Sequence, residues 1–142
     1  MTNRIKVLMA DDEPDVLEIM SRRVAAEGFE VVTARDGQEA WEKIQAESPD
    51  VILLDIIMPR MDGYTVLRNL RTNPPSEKWQ PVIIVSSKTD FGDMQQGFSL
   101  QADHYITKPC TIRDIIKGIQ LMASLIPQRK PSDQGSEEKE ES

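Results

Sequence analysis

The sequence predicts an α/β fold built on a parallel sheet, and two features carry that reading. Short apolar runs alternate along the chain with amphipathic stretches long enough for helices, the pattern of repeated βαβ units. Three of those runs are followed at once by charged side chains: Asp11 and Asp12 after residues 5–10, Asp55 after residues 51–54, and Lys108, with Pro109 next to it, after residues 104–107. If these strands are parallel neighbours, their carboxyl ends share one edge of the sheet, where three carboxylates and an ammonium converge. Carboxylates packed together repel, so such a place favours a cation.

The chain has 142 residues, 39% of them hydrophobic and 29% charged, which fits one folded domain with a sizeable core. No apolar stretch approaches the roughly 18 residues that span a bilayer, and the start, Met1-Thr2-Asn3-Arg4-Ile5, lacks the apolar core of a signal peptide. A soluble, cytoplasmic protein without membrane insertion is expected. A single cysteine, Cys110, excludes an internal disulfide or cysteine-based zinc site and fits a reducing compartment, and the lone His104 builds no metal cluster. The formal charge of −7 argues against direct DNA binding, since phosphate backbones are held mainly by Lys and Arg.

Taken in order, residues 5–10 are the first strand. Pro14, whose fixed φ suits a first turn, opens a helix that runs to about Glu27, with Val16, Met20 and Val24 on one face and Gly28 as terminator. Residues 29–33 read as the second strand. Asp36 is the expected N-cap, with Glu39 completing a capping box, of a helix that carries Ala40, Trp41 and Ile44 up to the breaker Pro49. The third strand ends at Asp55. After the polar turn 58–63, a helix carries Tyr64, Leu67 and Leu70 inward and stops at Asn73-Pro74-Pro75. Residues 81–85 form the fourth strand. Asp90 to Leu100 is a helix weakened by Gly92 and Gly97, each costing about 1 kcal/mol relative to Ala, and should be the most labile element. Residues 103–106 are a short fifth strand, and Thr111 caps a last helix with Ile112, Ile115, Ile116, Ile119, Met122 and Ile126 on one face. Five strands and five helices result, so residues 1–126 form the domain. Residues 127–142 are a polar, acidic tail without an apolar residue beyond Pro127, too poor in burial to order itself.

The ordered set of segments resembles the receiver domain of two-component response regulators over roughly residues 4–126. The matching segments are Val7-Leu8-Met9-Ala10-Asp11-Asp12-Glu13-Pro14, Ala34-Arg35-Asp36-Gly37-Gln38-Glu39-Ala40, and Pro49 through Asp55 to Gly63. Pro81-Val82-Ile83-Ile84-Val85-Ser86-Ser87-Lys88 and Ala102-Asp103-His104-Tyr105-Ile106-Thr107-Lys108-Pro109 complete them. The resemblance implies a flavodoxin-like, doubly wound sheet in the order 2-1-3-4-5 with helices on both faces. Ligands of such sheets sit beyond the carboxyl ends of the strands where the order reverses. Here that is between the first and third strands, at Asp11, Asp12 and Asp55.

By this resemblance Asp55 accepts a phosphoryl group from a sensor histidine kinase or a histidine phosphotransfer protein, and the change is read by a downstream output protein. Attack of a carboxylate on phosphate brings two anions together, which requires neutralisation. Mg²⁺, or Mn²⁺, supplies it with oxygen ligands from Asp12 and Asp55, the backbone carbonyl of Ile57 by resemblance, and Asp11 through a bound water. Lys108 pairs with a second phosphoryl oxygen, and Ser86 donates its hydroxyl to a third. The resemblance also makes Ser86 and Tyr105 the switch pair, with Tyr105 turning inward as Ser86 moves, and makes the Lys108–Pro109 bond cis. The domain assists only its own phosphorylation and dephosphorylation and is not otherwise an enzyme.

Cys110 stands where the family has a bulky apolar residue, and Gln101 where it has glycine; Lys88 puts a cation on one flank of the site. Ile57 places an apolar side chain beside the phosphoryl site, where it is expected to shield an acyl phosphate from water. A phosphohydrolase using an aspartyl nucleophile would carry its acid-base Asp where this chain has Ile57. A flavin carrier would need an anion-binding loop where Asp11-Asp12-Glu13 stand. A phosphorylation-independent docking module, a relay intermediate and a phosphate sink remain the alternatives, each compatible with a chain in which no output domain follows residue 126.

Overall fold

In a computed structural model, the described residues are 4–87 and 101–126. The elements are β1 (Lys6–Ala10), α1 (Pro14–Ala26), β2 (Glu30–Ala34), α2 (Gly37–Glu47), β3 (Val51–Asp55), α3 (Gly63–Thr72), β4 (Val82–Ser86), β5 (His104–Thr107) and α4 (Ile112–Ser124). The strands form one parallel sheet in the order β2-β1-β3-β4-β5. The helix expected over Asp90 to Leu100, Lys88 and the acidic tail lie outside the described residues. Among the described residues, no helix is long and apolar enough to cross a membrane.

Period-two alternation divides the core between the faces of the sheet. Leu8, Ile52, Leu54 and Ile84 meet Ala40, Ile44, Leu67 and Leu70 of α2 and α3 on one side. Val7, Met9, Leu53, Ile83 and Ile106 meet Leu17 and Val24 of α1 and Ile115, Ile119 and Met122 of α4 on the other. Val51 through Asp55 and Val82 through Ser86 are buried at every position, as strands covered on both faces must be. Each fully buried Leu or Ile side chain contributes about 2 kcal/mol of burial free energy.

Some local expectations shift. Leu17, 4% exposed, takes the inward position on α1, whereas Val16 is 37% exposed, because the helix turns its Leu17 and Val24 stripe to the sheet. Asp36 caps α2 through the Glu39 N–H at 2.8 Å, but the Glu39 carboxylate accepts from Arg35 N, one residue before the position a capping box uses. The first, second, fourth and fifth strands each start one residue later than the sequence suggested. At β4 the reason is Pro81, which lacks an N–H for the ladder although its carbonyl accepts from Ile52 N. At α4 the capping box is complete: Thr111 accepts from Asp114 N and the Asp114 carboxylate from Thr111 N.

Candidate functional site

Strand alternation explains which side chains meet at the carboxyl edge of the sheet. Asp11 follows Met9 by two residues, Asp55 follows Leu53 by two and Lys108 follows Ile106 by two, so all three continue the face that α1 and α4 cover. Their convergence is direct: Lys108 Nζ lies 3.1 Å from Asp55 Oδ2 and 3.4 Å from Asp11 Oδ2. The other oxygen of Asp11 accepts from Glu13 N at 3.0 Å, and Asp55 Oδ1 accepts from Ile57 N at 3.3 Å. Asp12 is exposed at the rim. Single carboxylate oxygens of Asp11, Asp12 and Asp55 lie within 4.8 Å of one another, and no other group of three or more acidic, His or Cys ligands of this kind occurs among the described residues. Oxygens at that spacing suit a small hard cation with bonds of about 2.1 Å, so the donor set fits Mg²⁺ or Mn²⁺.

Burial governs the electrostatics. It pushes the Asp55 carboxyl above the usual carboxylate range, against the pull of the Lys108 charge and hydrogen bond, while the nearby Asp11 adds to the push. For Lys108, burial acts downward, but Asp55 and Asp11 together outweigh it and hold the ammonium above its ordinary value. The lysine therefore stays charged at neutral pH and serves as the resident counter-ion of two carboxylates.

Ser86 ends β4 with 1% exposure, and its carbonyl accepts from Lys108 N at 2.8 Å. Ile84, two residues earlier, is paired in register with Tyr105, so Ser86 and Tyr105 stand on the same face of the sheet. Tyr105 is 8% exposed and belongs to the cluster that includes Ile84 and Ala102, apart from the carboxylates. The Lys108–Pro109 bond is cis. Ile57 is 57% exposed beside Asp55. Cys110 is half-buried, with burial and Asp114 pushing its thiol up and so away from thiolate chemistry.

Two features were not anticipated from the sequence. Gln101 holds φ +71, which explains why glycine suits that position, and its carbonyl is gripped by Arg71 Nε and Nη2 at 3.1 and 3.0 Å. Arg71 also bonds the Gln80 carbonyl and pairs with Asp103 at 2.9 Å, tying α3 to the turn before β5. The second is the close approach of Gly37 and Gly63 to the loop that follows Asp55, visible only in three dimensions.

Residues 7–120 match the family model described as the response regulator receiver domain. The chain is 38% identical over 113 residues to a probable transcriptional regulator, ycf27, of Cyanophora paradoxa, covering 80% of this chain and 46% of that protein. It is 34% identical over 110 residues to the alkaline phosphatase synthesis transcriptional regulatory protein PhoP of Bacillus subtilis, covering 78% of this chain and 45% of PhoP. The chain thus spans less than half the length of these relatives. Among solved structures, the receiver domain of the Francisella response regulator 1452 superposes with a TM-score of 0.78 at 30% identity, over 85% of this chain and 98% of that one. The chemotaxis response regulator CheY4 of Vibrio cholerae gives 0.78 at 29% identity, over 84% and 99%.

Proposed function

Because the chain belongs to the response regulator receiver domain family of two-component signalling, we propose that residues 1–126 accept a phosphoryl group on Asp55 and signal the change to a protein partner. The observation that carries this reading is the single knot of Asp11, Asp55 and Lys108 at the strand ends, with Asp12 at its rim. The donor is a sensor histidine kinase or a histidine phosphotransfer protein. An Asp55 carboxylate oxygen attacks phosphorus, the new O–P bond replaces the P–N bond of phosphohistidine, and the imidazole leaves with the electron pair and takes up a proton.

Each residue has a defined task in this scheme. Asp12, Asp55, the Ile57 carbonyl and, through water, Asp11 would hold Mg²⁺ or Mn²⁺. That cation, when bound, supplies the positive charge that offsets repulsion between the carboxylate and the incoming phosphate. Lys108, already 3.1 Å from Asp55, follows charge from the carboxylate to a phosphoryl oxygen. The Ser86 hydroxyl meets another oxygen, and its displacement is transmitted to Tyr105 on the same sheet face. An open groove of about 330 Å³ beside His104, Tyr105, Lys117 and Leu121 is the adjoining surface where a partner reads the change. A net charge of −7 supports a protein rather than a nucleic-acid partner for this domain, and a cytoplasmic location belongs to the same reading.

The test is intact mass after incubation with a small acyl-phosphate donor, with and without Mg²⁺. The expected result is a Mg²⁺-dependent gain of one phosphoryl group that Asp55→Asn abolishes. A folded wild-type protein that gains nothing would overturn the proposal in favour of a docking module that works without phosphate.

A further inference from the structure

The loop that joins β3 to α3, residues 56–62, bears Ile57 and therefore one of the proposed metal ligands. Two glycines fix it, one closing its ends together and the other seating it on α2. At its far end Gly63 N donates to the Ile56 carbonyl at 2.8 Å, and a Cβ on Gly63 would lie 2.3 Å from the Asp55 carbonyl oxygen. Closer to the middle, the loop rests on the first residue of α2. A Cβ on Gly37 would lie 1.6 Å from the Met61 carbonyl oxygen and 2.5 Å from its carbon. Gly37 N points at the Pro59 carbonyl at 3.4 Å, and Met61 N donates to the same oxygen at 2.8 Å. That second bond closes a three-residue turn at Arg60, whose φ of +72 is the strained, left-handed form of a γ-turn. Arg60 Nη1 approaches Asp36, the cap of α2, at 3.8 Å. The loop thus holds an unfavourable conformation against the end of a neighbouring helix.

We infer that Gly37 is a positioning residue for the metal site: by letting the Met61 carbonyl seat against α2, it holds the loop so that the Ile57 carbonyl faces the carboxylates. The inference rests on the metal reading proposed above. Gly37 touches none of the reacting groups and acts only through the loop. Any β-carbon there collides with backbone, which cannot swing aside as a side-chain tip can. One of the two partners must move. The α2 end is fixed by the Asp36 cap and by Ala40 and Ile44, both 0% exposed, whereas Pro59 and Arg60 are exposed. The loop is the side that yields, and with Ile56 and Gly63 anchored the displacement is passed along residues 57–62, of which Met58 is the one buried in the core, at 6% exposure.

Calorimetric titration with Mg²⁺, beside thermal unfolding, tests this on wild type, Gly37→Ala, Arg60→Pro and Gly28→Ala. Proline forces φ at residue 60 from +72 to about −65°, shifting the loop without placing any atom against α2. Gly28 has φ +103 with nothing within 4 Å of its Cβ position, so Gly28→Ala strains the chain without reaching the loop. Gly37→Ala and Arg60→Pro should weaken Mg²⁺ binding about tenfold or more, the scale of supporting residues around metal ligands, and Gly28→Ala should lower Tm while keeping wild-type affinity. Arg60→Pro, or a folded Gly37→Ala, binding within twofold of wild type would overturn the inference. An equal loss in Gly28→Ala would overturn it too, since affinity would then follow stability alone. Should Gly37→Ala fail to fold, Arg60→Pro decides. A wild-type chain that binds no Mg²⁺ overturns the metal reading itself, and this inference with it.

Discussion

Replacing Lys108 with Ala removes the counter-ion shared by two buried carboxylates, and the consequences can be worked from the distances. At 3.1 and 3.4 Å from its partners, the ammonium gains about 5 kcal/mol from each at an effective dielectric near 20, most of it cancelled by desolvation of the three groups. Removing one partner of such a set leaves the others uncompensated, and about 3 kcal/mol of lost stability at pH 7 without metal is expected. The pH dependence is the sharper signature. Asp55 already titrates above its unfolded value, so the folded state binds more protons over the window between the two values, and stability falls as pH rises through it. Without Lys108 the folded value rises further, and the fall extends to higher pH. Lys108 itself titrates above its unfolded value of 10.5, so wild type loses that contribution as pH rises beyond it and Lys108→Ala does not. Mg²⁺ should bind the variant more tightly than wild type, because the lysine no longer competes for the carboxylate oxygens, and should restore stability by mass action. Urea unfolding of both proteins from pH 4 to 11, with Mg²⁺ added only up to pH 9, measures all of this. A variant with the pH profile of wild type would refute the claim that Lys108 neutralises Asp11 and Asp55.

Three further outcomes are expected. Arg71→Ala should cost about 2–3 kcal/mol in urea unfolding, since the Gln101 and Gln80 carbonyls and Asp103 lose a charged donor together; a change under 0.5 kcal/mol would contradict the clamp. Ile57→Asn should shorten the lifetime of the acyl phosphate several-fold by admitting water to an exposed site, measured as phosphate release, and an unchanged rate would remove the shielding role. Tyr105→Ala should leave phosphorylation intact while abolishing the difference in partner binding between the phosphorylated and unphosphorylated protein; a difference of wild-type size would show that Tyr105 is only a core residue.

The fold and the main cluster were legible because both depend on simple periodicities. Strands buried on both faces appear as runs such as Val51-Ile52-Leu53-Leu54, and the parallel arrangement then puts whatever follows them on one edge. Asp11, Asp55 and Lys108 are separated by up to 97 positions in sequence, yet each lies two residues past a core side chain of the same sheet face. What the sequence obscured depends on backbone geometry and on rotation about an axis. Val16 and Leu17 are equally apolar, and only the roll of α1 against the sheet decides that Leu17 goes inside. Arg60 carries no sign of its positive φ, because arginine has no preference for that conformation and the turn is closed by a backbone bond between its neighbours, Met61 N to the Pro59 carbonyl. The Arg71 grip on Gln101 joins residues 30 apart whose polarity alone suggests only a solvated surface.

Under the proposed function, one carboxylate among several at this edge receives the phosphoryl group. Reducing the phosphorylated protein with borohydride converts an aspartyl phosphate to homoserine, and peptide sequencing by mass spectrometry then locates it. Homoserine is expected at position 55 and at no other aspartate; homoserine at position 11 or 12 instead, or a phosphoryl group that borohydride leaves in place, would overturn the assignment of Asp55.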